Sequence, residues 1–332
     1  MMDSIQIDEN IVIYKLAKHF YNGSYKFHLD ANEVQTLSWS VQEQLLNSTI
    51  NNVLIKKYPL SAEFVRLYLK TILNYLEPHH EVHEGIYENM CSIMANKQNQ
   101  NDFCYRHYVI DNNLNNIVTM KETKNMVING TTGMKTWEAA LILADWIISH
   151  KNLFKNKKVL ELGSGVGFTG ICVAKLCEIS SISLTDCHDD VINTIHDNIQ
   201  INFPDAKKIC GNNSIIYECD DKRIGVTKLD WNFVEDIKCI ESPDIVIGAD
   251  IVYDPSILQP LSNVLKILFE KNKNMEVYIA CIIRNEDTLK EFFTVLGSQN
   301  IMSIEKLTVA GNVHIEWDSS VNRCFVKIKY KV

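Results

Sequence analysis

The segment Val159–Gly170, VLELGSGVGFTG, sets an apolar run, an acidic residue and closely spaced glycines ahead of apolar residues at helical spacing. It reads as strand, turn and helix. A strand that turns sharply into a helix needs residues without a Cβ, and the helix N-terminus so formed presents unpaired backbone N–H groups to a bound nucleotide. Gly163, Gly165 and Gly167 are therefore the expected cradle of a cofactor. Two spellings overlap. Gly163, Gly165 and Gly167 complete the E/DxGxGxG turn of S-adenosylmethionine enzymes, with Glu161 near the strand end, while Gly165, Gly167 and Gly170 complete the dinucleotide GxGxxG. The motif alone does not choose between them. Its register favours the first, because the apolar run ends at Leu162 and the turn begins at Gly163.

Other strand-like segments end in groups suited to such a ligand. Ser181–Asp186 closes on a carboxylate that can accept hydrogen bonds from both hydroxyls of a ribose, which would serve either cofactor. The next run closes on Asp230-Trp231, an acid able to accept from an exocyclic amine or a backbone donor beside an indole able to cover an adenine face. The same indole would also serve as a core plug near the sheet edge. In DIVIGADIVYDP an apolar strand delivers Ala249 and Asp250, followed by Tyr253. A carboxylate at the mouth of an apolar strand is costly unless something uses it. The tract DCHDD, Asp186–Asp190, has the composition of a metal site, but it leads off a strand into a helix start. No second Cys/His cluster stands at zinc spacing, so no metal is expected. His79, His80 and His83 follow a helix ended by Pro78 and read as surface residues.

The elements that must position these groups alternate from Trp137 onward. Strand runs at Lys158–Leu162, Ser181–Asp186, Ile224–Leu229, Asp244–Ala249 and Glu276–Ile283 are interleaved with helical spacing at Thr169–Cys177, Asp189–Ile201, Pro255–Phe269 and Glu286–Leu296. That alternation predicts a parallel sheet covered on both faces, with its ligand across the carboxyl ends of the strands. Two later runs, Met302–Val309 and Asn322–Tyr330, leave too little sequence for a crossover helix and predict an antiparallel hairpin at the edge. The segment Asn202–Arg223 reads as a polar connection of irregular composition. Residues 1–124 have helical texture, clearest in SAEFVRLYLKTILNYL, where Val65, Tyr68, Leu69, Ile72 and Leu76 share a face. Ile11–Tyr21 and Val34–Leu46 are further helix candidates, with Trp39 as a packing anchor, and Asn116–Met120 with Asn125–Ile128 suggest a small β element. The expected division is a helical region, 1–124, and a catalytic domain, 125–332.

With 332 residues and 46% hydrophobic content the chain can bury a large core. It lacks a secretory leader pattern and any apolar run of membrane-spanning length. Ten cysteines without CxxC spacing point to a reducing, cytoplasmic compartment. A net charge of −8 argues against nucleic acid as the main partner. A soluble globular monomer is the expectation, and the charge leaves room for a basic protein partner.

Taken together, GTTGMKTWEAALILADW (Gly130–Trp146), VLELGSGVGFTG, the DCH at Asp186–His188, Leu229-Asp230-Trp231, PDIVIGADIVYDP, the leader KYPLSAEFVRLYL and Arg284-Asn285 resemble the eukaryotic elongation factor 2 lysine methyltransferases. These are a branch of the seven-strand protein methyltransferases with a DxxY motif. The resemblance covers nearly the whole chain. It implies an α/β fold, a class I methyltransferase Rossmann-like sheet of seven strands, mostly parallel, with an antiparallel C-terminal hairpin and a helical N-terminal region that recognises substrate. It also implies S-adenosyl-L-methionine as cofactor and elongation factor 2 as the protein substrate. By that likeness Trp137, Gly163, Ser164, Gly165, Asp186, Trp231 and Ala249 would bind the cofactor, and Asp250 and Tyr253 would face the substrate lysine. The expected chemistry is direct displacement at a sulfonium methyl by a neutral lysine, dominated by proximity and orientation. A methyltransferase of a different protein substrate is the chief alternative; a nicotinamide oxidoreductase and a noncatalytic scaffold are the rival classes, and the first of these two leaves Asp230-Trp231 and the late hairpin without a role.

Overall fold

The computed structural model describes residues 8–95, 102–127, 130–211, 214–219 and 221–331, which fall into two compact units, 1–124 and 125–332. The first unit begins with helices α1 (Glu9–Tyr21), α2 (Ala31–Gln35), α3 (Trp39–Ser48), α4 (Val53–Lys57), α5 (Ala62–Leu76) and α6 (Glu84–Ala95). Strands β1 (Phe103–Ile110) and β2 (Asn113–Thr123) complete it. Helix α5 starts at Ser61, whose hydroxyl accepts the Phe64 N–H at 3.2 Å, and buries Val65, Tyr68, Leu69, Ile72 and Leu76. Tyr68 is buried outright and donates its hydroxyl to the Leu16 carbonyl at 3.0 Å, tying α5 to α1.

Three expectations for this unit need correction. Val34–Leu46 is two helices: an Asp30–Glu33 capping box starts α2, and Ser38, at φ −58° and ψ 166°, leaves helical geometry and breaks the run ahead of α3. Asn116–Met120 lies within β2, but its partner is the upstream β1, while Asn125–Val127 form no strand and Ile128 lies outside the described residues. The physical reason is the turn: Asp111 and Asn112 both adopt left-handed backbone, φ 56° and 50°, the two-residue geometry that joins twisted antiparallel strands. His80 and His83 are half-buried, His80 Nε2 lying 2.7 Å from the Val34 carbonyl and His83 packing against Trp39, which is 41% exposed.

In the second unit α7 (Glu138–Ser149) and α8 (Lys151–Phe154) precede β3 (Lys158–Leu162), α9 (Phe168–Leu176), β4 (Ser181–Asp186) and α10 (Asp189–Asn202). There follow β5 (Lys207–Cys210), β6 (Ile215–Cys219), β7 (Lys222–Lys228), α11 (Val234–Cys239), β8 (Ile245–Ala249), α12 (Pro255–Lys271), β9 (Glu276–Ile282), α13 (Glu286–Ser298), β10 (Met302–Lys306) and β11 (Arg323–Tyr330). One sheet takes the order β10-β11-β9-β8-β3-β4-β7-β6-β5. Strands β9, β8, β3, β4 and β7 are mutually parallel, and β11 and β10 add antiparallel at one edge. This is the expected seven-strand frame with its late hairpin. The residues read as an irregular connection instead extend it to nine strands, through β6 and β5 paired antiparallel on β7. Strand β5 is exposed along its whole length and β6 buries only Tyr217 among its five residues, so no in-and-out alternation marks them in the sequence.

The long connection between β10 and β11 is held by a buried acid. Asp145 on α7 accepts the N–H groups of Val313, His314 and Ile315 and the Trp317 indole N–H, at 3.3, 2.6, 3.0 and 3.1 Å. A buried carboxylate is tolerable when its lone pairs are satisfied in this way. Among the described residues no helix is long and apolar enough to cross a membrane.

Candidate active site at the carboxyl ends of the parallel strands

The glycine turn after β3 runs through three left-handed residues, Gly163 (φ 62°), Gly165 (φ 53°) and Gly167 (φ 86°), the last capping α9. A Cβ on Gly163 would lie 2.8 Å from the Ile251 side chain and just under 4 Å from the Trp231 ring, and one on Gly165 would lie 3.0 Å from the Gly133 carbonyl. The turn is therefore closed to side chains by conformation and by space. Gly170 has a different task. Its Cβ would stand 1.9 Å from Leu184 Cδ2 and 2.6 Å from Glu161 Oε2, so it lets α9 pack close on the sheet. Both glycine spellings are present because turn and packing glycines share one segment.

Ser164 pins this turn to the neighbouring strand: its N–H donates to the Thr185 carbonyl at 2.8 Å, and its Oγ accepts the Thr185 N–H at 2.9 Å. Glu161, at the end of β3, is buried and accepts the Gly170 N–H at 3.1 Å. Burial pushes its carboxyl up to about 8, with Asp186 adding to the rise against the hydrogen bonds it receives. Asp186 closes β4. It is half-buried, its two oxygens accept the N–H groups of Gly165 and His188, each at 3.2 Å, and burial raises its pKa.

The opposite wall comes from the later strands. Asp230 Oδ1 accepts the Asn232 N–H at 2.9 Å, which turns the chain so that half-buried Trp231 packs on the core beside Gly163. Ala249 ends β8, and Asp250 follows in left-handed backbone, φ 57°, with its carboxylate buried. Tyr253 is 52% exposed, and burial of part of its ring raises its pKa against a hydrogen bond from Thr132. Thr132 belongs to the loop ahead of α7, and its carbonyl accepts the Trp137 indole N–H at 2.9 Å.

All nine residues expected from the sequence, Trp137, Gly163, Ser164, Gly165, Asp186, Trp231, Ala249, Asp250 and Tyr253, line a single cavity of about 650 Å³. That volume is ordinary for a small-molecule site. The cavity offers a glycine-rich turn, carboxylates at separate strand ends and an indole wall, a set that suits a nucleoside-containing ligand with a cationic part. Residues of the loop Gly130–Thr136, Glu161 and Arg284 also line it. Arg284 is a further functional candidate, two residues beyond β9 as Asp186, Ala249 and Asp250 stand at or beyond the ends of their own strands. Of the DCHDD tract only the first three residues reach the cavity; Asp189 pairs with Lys228 at 2.7 Å in the first turn of α10.

Comparison with known proteins yields a family model described as lysine methyltransferase, matching residues 115–299. The human protein-lysine N-methyltransferase EEF2KMT is 32% identical over 267 residues, covering 77% of each chain. Its Bos taurus counterpart is 28% identical over 308 residues, 86% of this chain and 89% of the other. The protein-lysine N-methyltransferase EFM3 of Saccharomyces cerevisiae is 25% identical over 261 residues, 72% of this chain and 70% of its own.

Proposed function

Because the chain belongs to the lysine methyltransferase family, we propose that it transfers a methyl group from S-adenosyl-L-methionine to a lysine of elongation factor 2. The observation that carries this reading is the convergence of the glycine turn, Asp186, Trp231 and Asp250 on one cavity at the carboxyl ends of β3, β4, β7 and β8. In this reading Gly163, Ser164 and Gly165 offer backbone to the cofactor, Asp186 accepts from its ribose hydroxyls, and Trp231, Trp137 and Ala249 shape the walls around it. The cofactor, when bound, supplies a methyl group activated by the sulfonium.

The chain's own residues then have one task, to hold a neutral lysine amine in line behind that methyl. Alignment of this kind lowers a barrier by several kcal/mol, on the order of 7–11 in the best cases. Asp250 and Tyr253, which line the same cavity, take the substrate lysine in this reading, one orienting the amine through hydrogen bonding, the other offering a ring face to the nitrogen as it becomes cationic. Glu161 lies deeper and is protonated at neutral pH, so it can answer an arriving cation by losing its proton.

Residues 1–124 serve in this reading as the substrate-recognition region, and the protein works as a cytoplasmic monomer on a protein partner, without direct contacts to nucleic acid or membrane. The fit of EEF2KMT-named relatives across most of the chain, including part of that unit, supports elongation factor 2 as the target. The test is intact-mass analysis of elongation factor 2 from cells lacking this protein. The reading expects loss of a methyl-mass increment on one lysine, restored when the chain is returned; an unchanged mass rejects that substrate.

A further inference from the structure

Arg284, two residues after β9, grips both oxygens of Asp250: Nη1 donates to Oδ1 at 3.0 Å and Nη2 to Oδ2 at 2.6 Å. Asp250 is held from behind as well, its N–H donating to the Ala280 carbonyl at 2.8 Å. Asp250 takes left-handed backbone, which aspartate adopts more readily than most residues, and these contacts hold it there. The guanidinium also lies over the Trp137 ring, 5.2 Å from its centroid. A line of three side chains thus joins the ends of β8 and β9 to the start of α7 along the cavity wall. The pairing raises the pKa of Arg284 further, so the cation is permanent.

An unpaired carboxylate at this place would welcome the incoming lysine as an ammonium, which cannot attack a methyl group. The bidentate pair is close to neutral, and its cation disfavours a second positive charge alongside. The other ionisable groups that line the cavity are Glu161 on β3, Asp186 at the end of β4, Cys187 and His188 after it, Asp230 after β7, Tyr253 and Asp254 beyond Asp250, and Lys135 of the loop, and Cys281 on β9 acts on the Arg284 charge. Four of these nine are carboxyl groups, and Arg284 is the cation paired directly with Asp250, the acid assigned to the lysine. Resting on the lysine-methylation reading above, we propose that Arg284 is a positioning residue that fixes Asp250 against Trp137 and selects the neutral amine of the substrate lysine.

The test compares the parental chain with Arg284→Met, which keeps a stem over Trp137 without charge, and Arg284→Lys, which keeps a charge without the fork. Single-turnover methylation of elongation factor 2 is measured near pH 7 and near pH 9, beside cofactor affinity by calorimetry. Arg284→Met is expected to slow transfer by about tenfold or more near pH 7 with cofactor affinity within about threefold, and to recover at least about threefold of that deficit near pH 9. Arg284→Lys should fall between the two, and carries the same comparison if the Met variant does not fold. A deficit equal at both pH values, a parental rate in the variant, or a loss explained by cofactor affinity overturns the role of Arg284 alone. A parental chain that binds cofactor yet methylates no lysine overturns the reading on which it rests, and this role with it.

Discussion

Glu161 and Gly170 share one buried contact: the Gly170 N–H donates to Glu161 Oε2 at 3.1 Å, and a Cβ on Gly170 would stand 2.6 Å from the same oxygen. The acid at the strand end and the glycine in the following helix are thus a single device, which brings α9 close to β3 and puts a protonated carboxyl beneath the cavity. Its behaviour with pH follows. The folded-state pKa, pushed up to about 8 by burial, lies above the ordinary 4.5, so the folded chain binds this proton more tightly than the unfolded one. The stabilising contribution is complete below pH 4.5 and is lost as pH rises through 8. Glu161→Gln should therefore gain stability relative to the parent as pH rises from 5 to 8, by on the order of a few kcal/mol. Urea unfolding across that range measures it. Cofactor affinity of the parent should also rise over this window, because a cation favours the ionised acid, and the variant should lose that slope; parallel curves for both proteins would dismiss the role of Glu161.

Substitution in the turn should abolish cofactor binding. Gly165→Arg forces a side chain into left-handed backbone 3.0 Å from the Gly133 carbonyl, displacing the loop that forms the cavity wall. Asp186→Ala removes an acceptor and frees the Gly165 N–H, and should weaken binding by about 1.5–3 kcal/mol, the scale of a hydrogen bond to a charged group. Calorimetric titration with S-adenosyl-L-methionine reads both, and unchanged affinity in the pair removes the site assignment.

Asp145→Ala should destabilise the catalytic unit by about 3 kcal/mol, since it strips partners from three backbone N–H groups and the Trp317 indole in one step. Cofactor affinity of the folded fraction should stay near parental, because Asp145 lies outside the cavity. Denaturant titration with cofactor binding on the same sample separates the two effects. A loss of affinity without loss of stability would place Asp145 in the site.

Removing residues 1–124 should leave a chain that binds cofactor and fails on its protein substrate, with methylation of intact elongation factor 2 reduced by about tenfold or more. A folded truncation with parental activity would show that recognition lies within residues 125–332.

Much of this site was legible because its signals are local. The glycine turn is a spacing, and Asp186, Trp231, Ala249 and Asp250 each end an apolar run whose period-two or continuous pattern survives in the sequence. What was not legible depends on partners far apart in the chain. Arg284 meets Asp250 only because β8 and β9 run parallel in a register that sets Ala249 beside Ala280. Asp145 reads as a polar interruption in an apolar helix until the β10–β11 connection wraps over it. Strands β5 and β6 carry little burial, so their pairing rests on backbone hydrogen bonds that leave no periodic trace. The β1–β2 hairpin lies upstream of the expected β element because Asp111-Asn112, a pair without glycine, forms its two-residue turn.

The most direct measurement is single-turnover methylation of purified elongation factor 2 by the parental chain and by Asp250→Ala, with cofactor affinity determined for each. Parental protein should add methyl groups to one lysine, while Asp250→Ala should bind cofactor within a few fold of parental and transfer methyl about 100-fold more slowly or less, through loss of the group that orients the amine. Asp250→Asn then separates charge from shape, a large deficit indicating electrostatic handling of the lysine and a small one positioning. Parental protein that binds cofactor and leaves elongation factor 2 unmodified, or Asp250→Ala that methylates it at the parental rate, is incompatible with a lysine methyl-transfer site built around Asp250.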